Sequence, residues 1–268
     1  MTRYLVFFVF LLSGCQVSQT VSPQVVIYTY HSDPPFFLPD QPTDLSRAWV
    51  DRFNQWQSKI QLRVEHIERG VLNQRIEEGN PYLILWANPL FFVSRDPMLL
   101  SSDTIFWDAD ILVSRKQQPI DYHKPSDLIG YRLGGRRGFY YKGLNELSDE
   151  GKLTRIDADN DNQNYERLLQ QEVDLFIMQR SAWYYWRSNG LDETLLYVAS
   201  EPHDGYSRHV LASAEYAELL RLINEFIAVS KQDAMWRAQL MKWGVEGLMN
   251  PFELELEELL DVDVDKQR

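Results

Sequence analysis

The sequence has few of the residues on which several common chemistries depend. Among 268 residues there is one cysteine, Cys15, and there are five scattered histidines. A single cysteine excludes a disulfide within the chain, and the histidines do not have the paired spacing of a zinc site. A nucleophile elbow and a Walker loop are also missing. The sequence therefore predicts a protein that is not an enzyme and needs neither a metal nor another cofactor.

Positive charge is scarce as well. The chain has 27 Lys and Arg against 39 Asp and Glu, which gives a formal net charge of −12. Phosphate backbones are bound by clustered Lys and Arg, so we predict no nucleic-acid partner. Beyond the first 15 residues, no apolar run approaches the roughly 20 residues of a membrane-spanning helix. The body of the chain should be soluble, and its 44% of hydrophobic residues can form a core.

The first 15 residues read as an export signal. Arg3 precedes an apolar run, Tyr4 to Leu12, about half the length of a membrane-spanning helix. The run ends in Leu12-Ser13-Gly14-Cys15, which resembles the bacterial lipobox. That resemblance implies a signal peptide at 1–14, lipid on Cys15, a linker at 15–23 and a tether to a membrane surface in the periplasm. The alternative is an ordinary signal peptide that contains a cysteine.

The rest of the chain alternates strand and helix patterns. Asp44 is placed to cap a helix at 44–57, and an acidic run near the end predicts a solvated tail at 251–268. We predict strands at 24–30, 60–67, 82–86, 109–114, 131–134, 173–178, 195–199 and 209–212, and helices at 44–57, 71–78, after 140, around 165–171 and within 215–243. This alternation indicates a mostly parallel α/β sheet with ligands at the carboxyl ends of its strands.

Several short motifs occur in an order that resembles a known family. They are Pro34-Pro35-Phe36, Leu100-Ser101-Ser102-Asp103, Asp127-Leu128-Ile129-Gly130, Gly138, Val173-Asp174 and Lys242-Trp243-Gly244. Together they resemble the bacterial extracellular solute-binding proteins of family 3. The resemblance implies two Rossmann-like α/β lobes, joined by two crossover segments, with a ligand cleft between them. One lobe would comprise 24–113 and 205–250, and the other 114–204.

The resemblance also implies a function. A monomer would capture a small polar or aromatic solute by lobe closure and deliver it to the membrane permease of an ABC-type importer. One alternative is a ligand sensor that signals through a membrane receptor. A second is a periplasmic enzyme of the dehydratase kind on the same fold. Gln16 after the acylated cysteine favours the inner leaflet of the outer membrane over the inner membrane.

Two positions carry the family's ligand contacts. Arg95 stands where an arginine binds the ligand carboxylate, with a surface or inter-lobe ion pair as the alternative reading. Gln179 stands where an acid binds the ligand ammonium. A neutral amide leaves a buried ammonium without an ionised partner, so the sequence predicts that a standard α-amino acid is a poor ligand.

Aromatic residues surround the inferred cleft. We predict ligand contacts for Phe36 and Trp86 after strand ends, for Tyr30 and His31 in the first loop, and for Tyr140 at a helix start. His31 has an alternative reading as a solvated histidine at the rim. For the basic cluster Arg132, Arg136 and Arg137, the sequence favours a solvated loop over an anion site.

Overall fold

The computed structural model describes residues 23–250. The predicted signal peptide, Cys15 with nearly all of its linker, and the acidic tail lie outside the described residues. Within 23–250, none of the helices combines the length and apolar character that crossing a membrane requires.

The elements follow the predicted alternation closely. The strands are β1 Gln24–Thr29, β2 Gln61–His66, β3 Leu83–Ala87, β4 Leu100–Ser101, β5 Phe106–Arg115, β6 Arg132–Arg136, β7 Thr154–Ala158, β8 Leu175–Gln179, β9 Leu196–Val198 and β10 Asp204–Ala212. The helices are α1 Leu45–Trp56, α2 Arg69–Glu77, α3 Leu144–Asp149, α4 Asp161–Leu169, α5 Arg180–Ser188, α6 Ala217–Ser230 and α7 Ala234–Lys242.

Local capping explains two helix boundaries. The carboxylate of Asp44 accepts a hydrogen bond from the Arg47 amide, as the N-cap prediction requires. The helical region predicted within 215–243 is two helices, because Asp233 accepts from the amides of Met235 and Trp236 and starts α7 there.

The sheet is parallel only at its two ends. Its strand order is β2-β1-β3-β10-β5-β8-β6-β7, and β1, β2 and β3 are parallel to one another, as are β6, β7 and β8. In the middle, β10 is antiparallel to β3 and β5, and β5 is antiparallel to β8. The prediction of a mostly parallel sheet is therefore wrong at the centre, because the two longest strands connect the halves in opposite directions.

Four hydrophobic clusters divide the described chain into two lobes. Two clusters take their residues from 27–106 and 210–248, and the other two from 109–199. In the first lobe, Trp49 and Trp86 are fully buried and meet edge to face with their ring centroids 6.1 Å apart. The chain passes between the cores within Phe106–Ala109 and returns before Val210.

Candidate binding site at the strand crossing

The two lobes meet where β5 pairs with β10. The paired residues run from Phe106 opposite Arg208 to Asp110 opposite Asp204, and we call this segment the crossing. Side chains alternate along a strand, and directly paired residues share a face. One face of the crossing therefore presents Asp108, Asp110, Asp204, Tyr206 and Arg208.

A fully buried ion pair lies at the centre of this face. The Arg208 Nε and Nη2 atoms lie 2.8 and 2.6 Å from Asp108 Oδ2, with 2% and 0% of the two side chains exposed. The other oxygen of Asp108 accepts from the Ser181 amide at 3.0 Å, in the first turn of α5. One carboxylate thus joins β5, β10 and α5.

The same guanidinium contacts the loop after β1. Arg208 Nη1 donates to the Trp86 carbonyl at 3.0 Å and lies 3.1 Å from His31 Nε2. Burial and the neighbouring Arg208 charge lower the pKa of His31 well below its usual value, so the imidazole is neutral. Trp86 has a φ of +66°, a conformation that costs free energy in a residue with a side chain. In this conformation the Trp86 carbonyl accepts from Arg208 and lies 3.2 Å from His31 Nε2.

Asp110 has a different environment from Asp108. The half-buried carboxylate accepts a hydrogen bond from the Tyr206 hydroxyl at 3.1 Å, and no Lys, Arg or His within residues 23–250 forms a salt bridge with it. Burial, with the Asp108 charge nearby, raises the pKa of Asp110 to about 7. Burial also raises the pKa values of Tyr30, Tyr141 and Tyr206, and the Asp110 charge adds to each increase.

Gln179 lies directly across the ladder from Asp110. The two residues are paired in the antiparallel register of β5 and β8, so their side chains share one face. The Gln179 Oε1 atom is buried and has no hydrogen-bond partner among the described residues. A carboxylate and an amide oxygen without a donor among the described residues therefore lie side by side on this face.

A second polar cluster links the lobes beside the crossing. Arg136, at the end of β6, places Nη1 2.5 Å from Asp33 Oδ1 and 3.3 Å from Asp161 Oδ1. Asp33 belongs to the loop after β1 in the first lobe, whereas Asp161 begins α4 in the second. We call these three residues the clasp. The pKa of Asp161 is raised to about 7, mainly by burial and to a smaller extent by the nearby Asp33 charge.

The clasp corrects the expected solvated basic loop. Arg136 is only 7% exposed and bridges two carboxylates. Arg132 pairs with Asp174, and Arg137 pairs with Asp159. The Arg137 pair, with 66% and 64% of its side chains exposed, fits the expectation, and Arg132, with 42% of its side chain exposed, fits it in part.

Three of the sequence-predicted site residues lie at or beside the crossing. They are Gln179, Tyr30 and His31, and the rings of the last two are 4.3 Å apart. Phe36 and Trp86 lie behind them with 0% of their surface exposed. The Phe36 ring centroid is 4.5 Å from the Arg208 guanidinium, while Trp86 stacks on Phe106 at 5.1 Å. Ligand contact by these five residues stays a prediction.

The other two predicted residues have separate surroundings. Arg95 pairs with Glu77 at the surface, in the manner of its alternative reading, and its side chain is 34% exposed. Tyr140 is 64% exposed and donates to Glu146. It borders an open surface cavity of about 410 Å³ together with Phe139, Arg155 and Asp157. No contact described within residues 23–250 joins either residue to the crossing.

Sequence reasoning missed the residues that build this site. They are Asp33, Asp108, Asp110, Asp161, Tyr206 and Arg208, whereas Arg136 was named but interpreted as a solvated base. The available signal was charge inside apolar strands: Asp108 and Asp110 interrupt the run from Phe106 to Val113. Charges in such positions are rarely tolerated unless they are paired or functional.

Asp110→Asn tests the environment of this carboxylate through stability. The folded-state pKa of about 7 exceeds the ordinary value of 3.8, so the folded protein holds an extra proton between those values and loses stability as pH rises through them. An amide carries no charge to desolvate, so the variant should melt above the wild type at pH 8, and this advantage should shrink at pH 5. Thermal unfolding followed by circular dichroism provides the measurement. An equal difference at both pH values would contradict the assignment.

Comparison with solved structures shows the fold. An ancestral arginine-binding protein bound to arginine is similar with a TM-score of 0.64 and 14% identity, over 83% of this chain and 99% of that one. The second substrate-binding domain of a putative amino acid ABC transporter from Streptococcus pneumoniae gives 0.57 and 16%, over 82% and 99%. The BvgS periplasmic domain from B. pertussis gives 0.64 and 17%, over 90% of this chain and 47% of that one.

Sequence comparisons give no further relative. No protein-family model matches the chain, and no curated protein matches it. The structural similarity alone shows that the chain has the two-lobe, type 2 periplasmic binding protein fold that the motifs predict.

Proposed function

We propose that this protein is a periplasmic, lipid-anchored binding protein that captures a small polar or aromatic solute by closure of its lobes, for an ABC-type importer. One observation carries the proposal: a crossing that joins two lobes presents Asp110 and Gln179 with unused hydrogen-bonding capacity. Such convergent polar groups in a cleft are typical of ligand sites. Structural similarity to an arginine-binding protein and to a substrate-binding domain of a putative amino acid ABC transporter supports solute binding as the function. We propose no catalytic activity.

The proposed ligand contacts fall into two groups. Tyr30, His31 and Gln179 lie at or beside the crossing and would contact the solute directly. Phe36 and Trp86 support them from the first-lobe core. Arg95 and Tyr140 would contribute only if the lobes move relative to one another. The proposed division into 24–113 with 205–250 and 114–204 agrees with the hydrophobic clusters except at 109–113, where the buried residues pack in the second-lobe cores.

A thermal-shift screen tests solute capture. The full chain carrying Cys15→Ser, which removes the proposed acylation site, would be screened against amino acids, amines, carboxylates, small peptides and aromatic solutes. A bound solute stabilises the folded protein and so raises the melting midpoint. At a free solute concentration of 100 times the dissociation constant, the added stability is about 2.7 kcal/mol. A reproducible rise with one class supports capture. No rise with any class, confirmed by equilibrium dialysis, would reject it.

The lipid anchor has its own test. In a Gram-negative host, Cys15→Ser should release the protein from the membrane fraction without detergent, because a thiol is needed for acylation. The control Ser18→Ala keeps Cys15 and should still require detergent. Gln16→Asp should move the protein from outer-membrane to inner-membrane vesicles on a density gradient. Membrane association of the Cys15→Ser protein would contradict the anchor.

Sensing is the second candidate, because the BvgS periplasmic domain shares the fold. Uptake of the identified solute in a deletion strain separates the two functions. An importer component is required for uptake, whereas loss of a sensor leaves uptake intact and changes a response to the solute.

A further inference from the structure

We propose that Asp110 and Gln179 together bind a protonated amine of the solute. This inference names the ligand class of the site under Proposed function and rests on that function. It differs from the sequence-based expectation, which took the neutral Gln179 as evidence against an ammonium ligand.

The strand register supplies the acid that Gln179 lacks. Asp110 is the direct partner of Gln179 across the antiparallel ladder, and directly paired side chains lie about 5 Å apart on one face. A carboxylate on β5 can therefore occupy the place beside the amide on β8. The pair offers three acceptor oxygens, two from the carboxylate and one from the amide, and the amide oxygen has no donor among residues 23–250. An ammonium group has three donors and no acceptor.

The charge of the face favours a cation over a neutral donor. Asp108, Asp110 and Asp204 share this face with a single base, Arg208. Both Nε and Nη2 of Arg208 are engaged by Asp108, and its Nη1 is engaged by the Trp86 carbonyl. Asp110 is left with one phenolic donor, Tyr206. A cationic ligand would supply the missing counter-charge in a partly desolvated place, where such a pair is stronger than in water.

Three buried phenols lie close to Asp110. Tyr30, Tyr141 and Tyr206 are close enough for the Asp110 charge to raise their pKa values, to which burial contributes most. Phenols stay neutral at physiological pH and add no charge of their own. Each ring already has a guanidinium over it, Arg69 on Tyr30, Arg155 on Tyr141 and Arg208 on Tyr206, so the ligand amine is assigned to the oxygens of Asp110 and Gln179 and not to the ring faces.

The pH dependence of binding has a definite sign. An amine prefers the ionised form of Asp110, so its affinity should fall as pH decreases below about 7, where the carboxyl takes up a proton. The other ionisable groups facing this position are Asp108, Asp204, Arg208, Tyr30, Tyr141 and Tyr206. Arg208 forms a buried ion pair with Asp108, burial raises the pKa of Asp204, and burial raises the pKa values of the three phenols further above the range of pH 5.5 to 8.

Isothermal titration calorimetry with defined probes tests the inference. The full chain carrying Cys15→Ser would be titrated with putrescine, L-ornithine and L-arginine, and with succinate and inositol as anionic and neutral probes. At least one cationic probe should bind, and Asp110→Asn should weaken it by roughly 10- to 100-fold, as expected for a lost hydrogen bond to a charged group. Asp51→Asn removes the same charge from an exposed position on α1 and should leave the affinity unchanged.

The pH series adds a second readout. Affinity for the cationic probe should decrease from pH 8 to pH 5.5 in the wild type, and this decrease should disappear in Asp110→Asn. The fold of that variant is verified by its own melting curve. Binding of succinate or inositol without any cation, or equal amine affinity in Asp110→Asn, would overturn the amine site and leave solute capture intact. Failure of every solute in the wider screen would overturn both.

Discussion

Arg208→Met should lower the free energy of unfolding by about 3–5 kcal/mol, the usual cost of leaving a buried charge without its partner. Asp108 would remain in the core with 0% of its side chain exposed and no cation beside it. The Trp86 carbonyl would also lose a donor. Urea denaturation at pH 7 measures the loss.

Two further variants make this result specific. Arg221→Met removes an exposed ion pair with Glu218, whose side chains are 71% and 83% exposed, and should change stability little. The double variant Arg208→Met with Asp108→Asn should recover part of the loss, because asparagine is neutral and can still accept from the Ser181 amide. A loss below about 1 kcal/mol for Arg208→Met alone, the range of an exposed pair, would show that the buried pair does not hold the crossing together.

Arg136→Ala should separate the lobes. The clasp is formed by one buried guanidinium of the second lobe, which contacts Asp33 in the first lobe and Asp161 in its own. Without it the buried carboxyls lose their cation, and in alkaline buffer, where Asp161 with its raised pKa is ionised, the two carboxylates repel each other and opening returns them to water. Small-angle X-ray scattering should show a larger radius of gyration. The stability loss should be about 1.5–3 kcal/mol, the range for hydrogen bonds to charged groups.

The neighbouring arginine provides a matched control. Arg137 pairs with Asp159 at the surface, with 66% of its side chain exposed, so Arg137→Ala should leave the scattering curve unchanged. Asp33→Asn should reproduce much of the opening, because it removes the first-lobe partner. An unchanged radius in Arg136→Ala would show that the clasp does not hold the lobes together.

The sequence predicted the local elements because their causes are local. The alternation in Gln24–Thr29, the apolar stripe of α1 and the Asp44 cap each lie within a few residues of the element they specify. The direction of the central strands depends instead on pairing between residues about 100 positions apart in the chain. No periodicity within either segment encodes that partner.

The same contrast between local and distant causes applies to the candidate site. Its first loop and Gln179 were predicted from the sequence, and most of its charged residues were not. The loop from Tyr30 to Phe36 and Gln179 were identified from motifs that lie close to the strands they follow. Arg136 was interpreted as a solvated base. Its partner Asp33 is 103 residues away in the sequence, so no local pattern indicates the pair. The role of Gln179 changes only when the ladder places Asp110 opposite it.

The crossing also constrains how the lobes can move. Two separate linkers would let the lobes rotate about many axes, whereas β5 and β10 are joined by a hydrogen-bonded ladder through Phe106–Asp110 and Asp204–Arg208. Such a ribbon bends across its flat face and resists sliding or splaying within its plane, because those motions break backbone hydrogen bonds. On one face of the crossing, the Asp108 carboxylate also accepts hydrogen bonds from Ser181 and Arg208, which restricts motion there. Lobe motion should therefore follow a single bending coordinate, which makes two discrete end states easier to select than a continuum of intermediate angles.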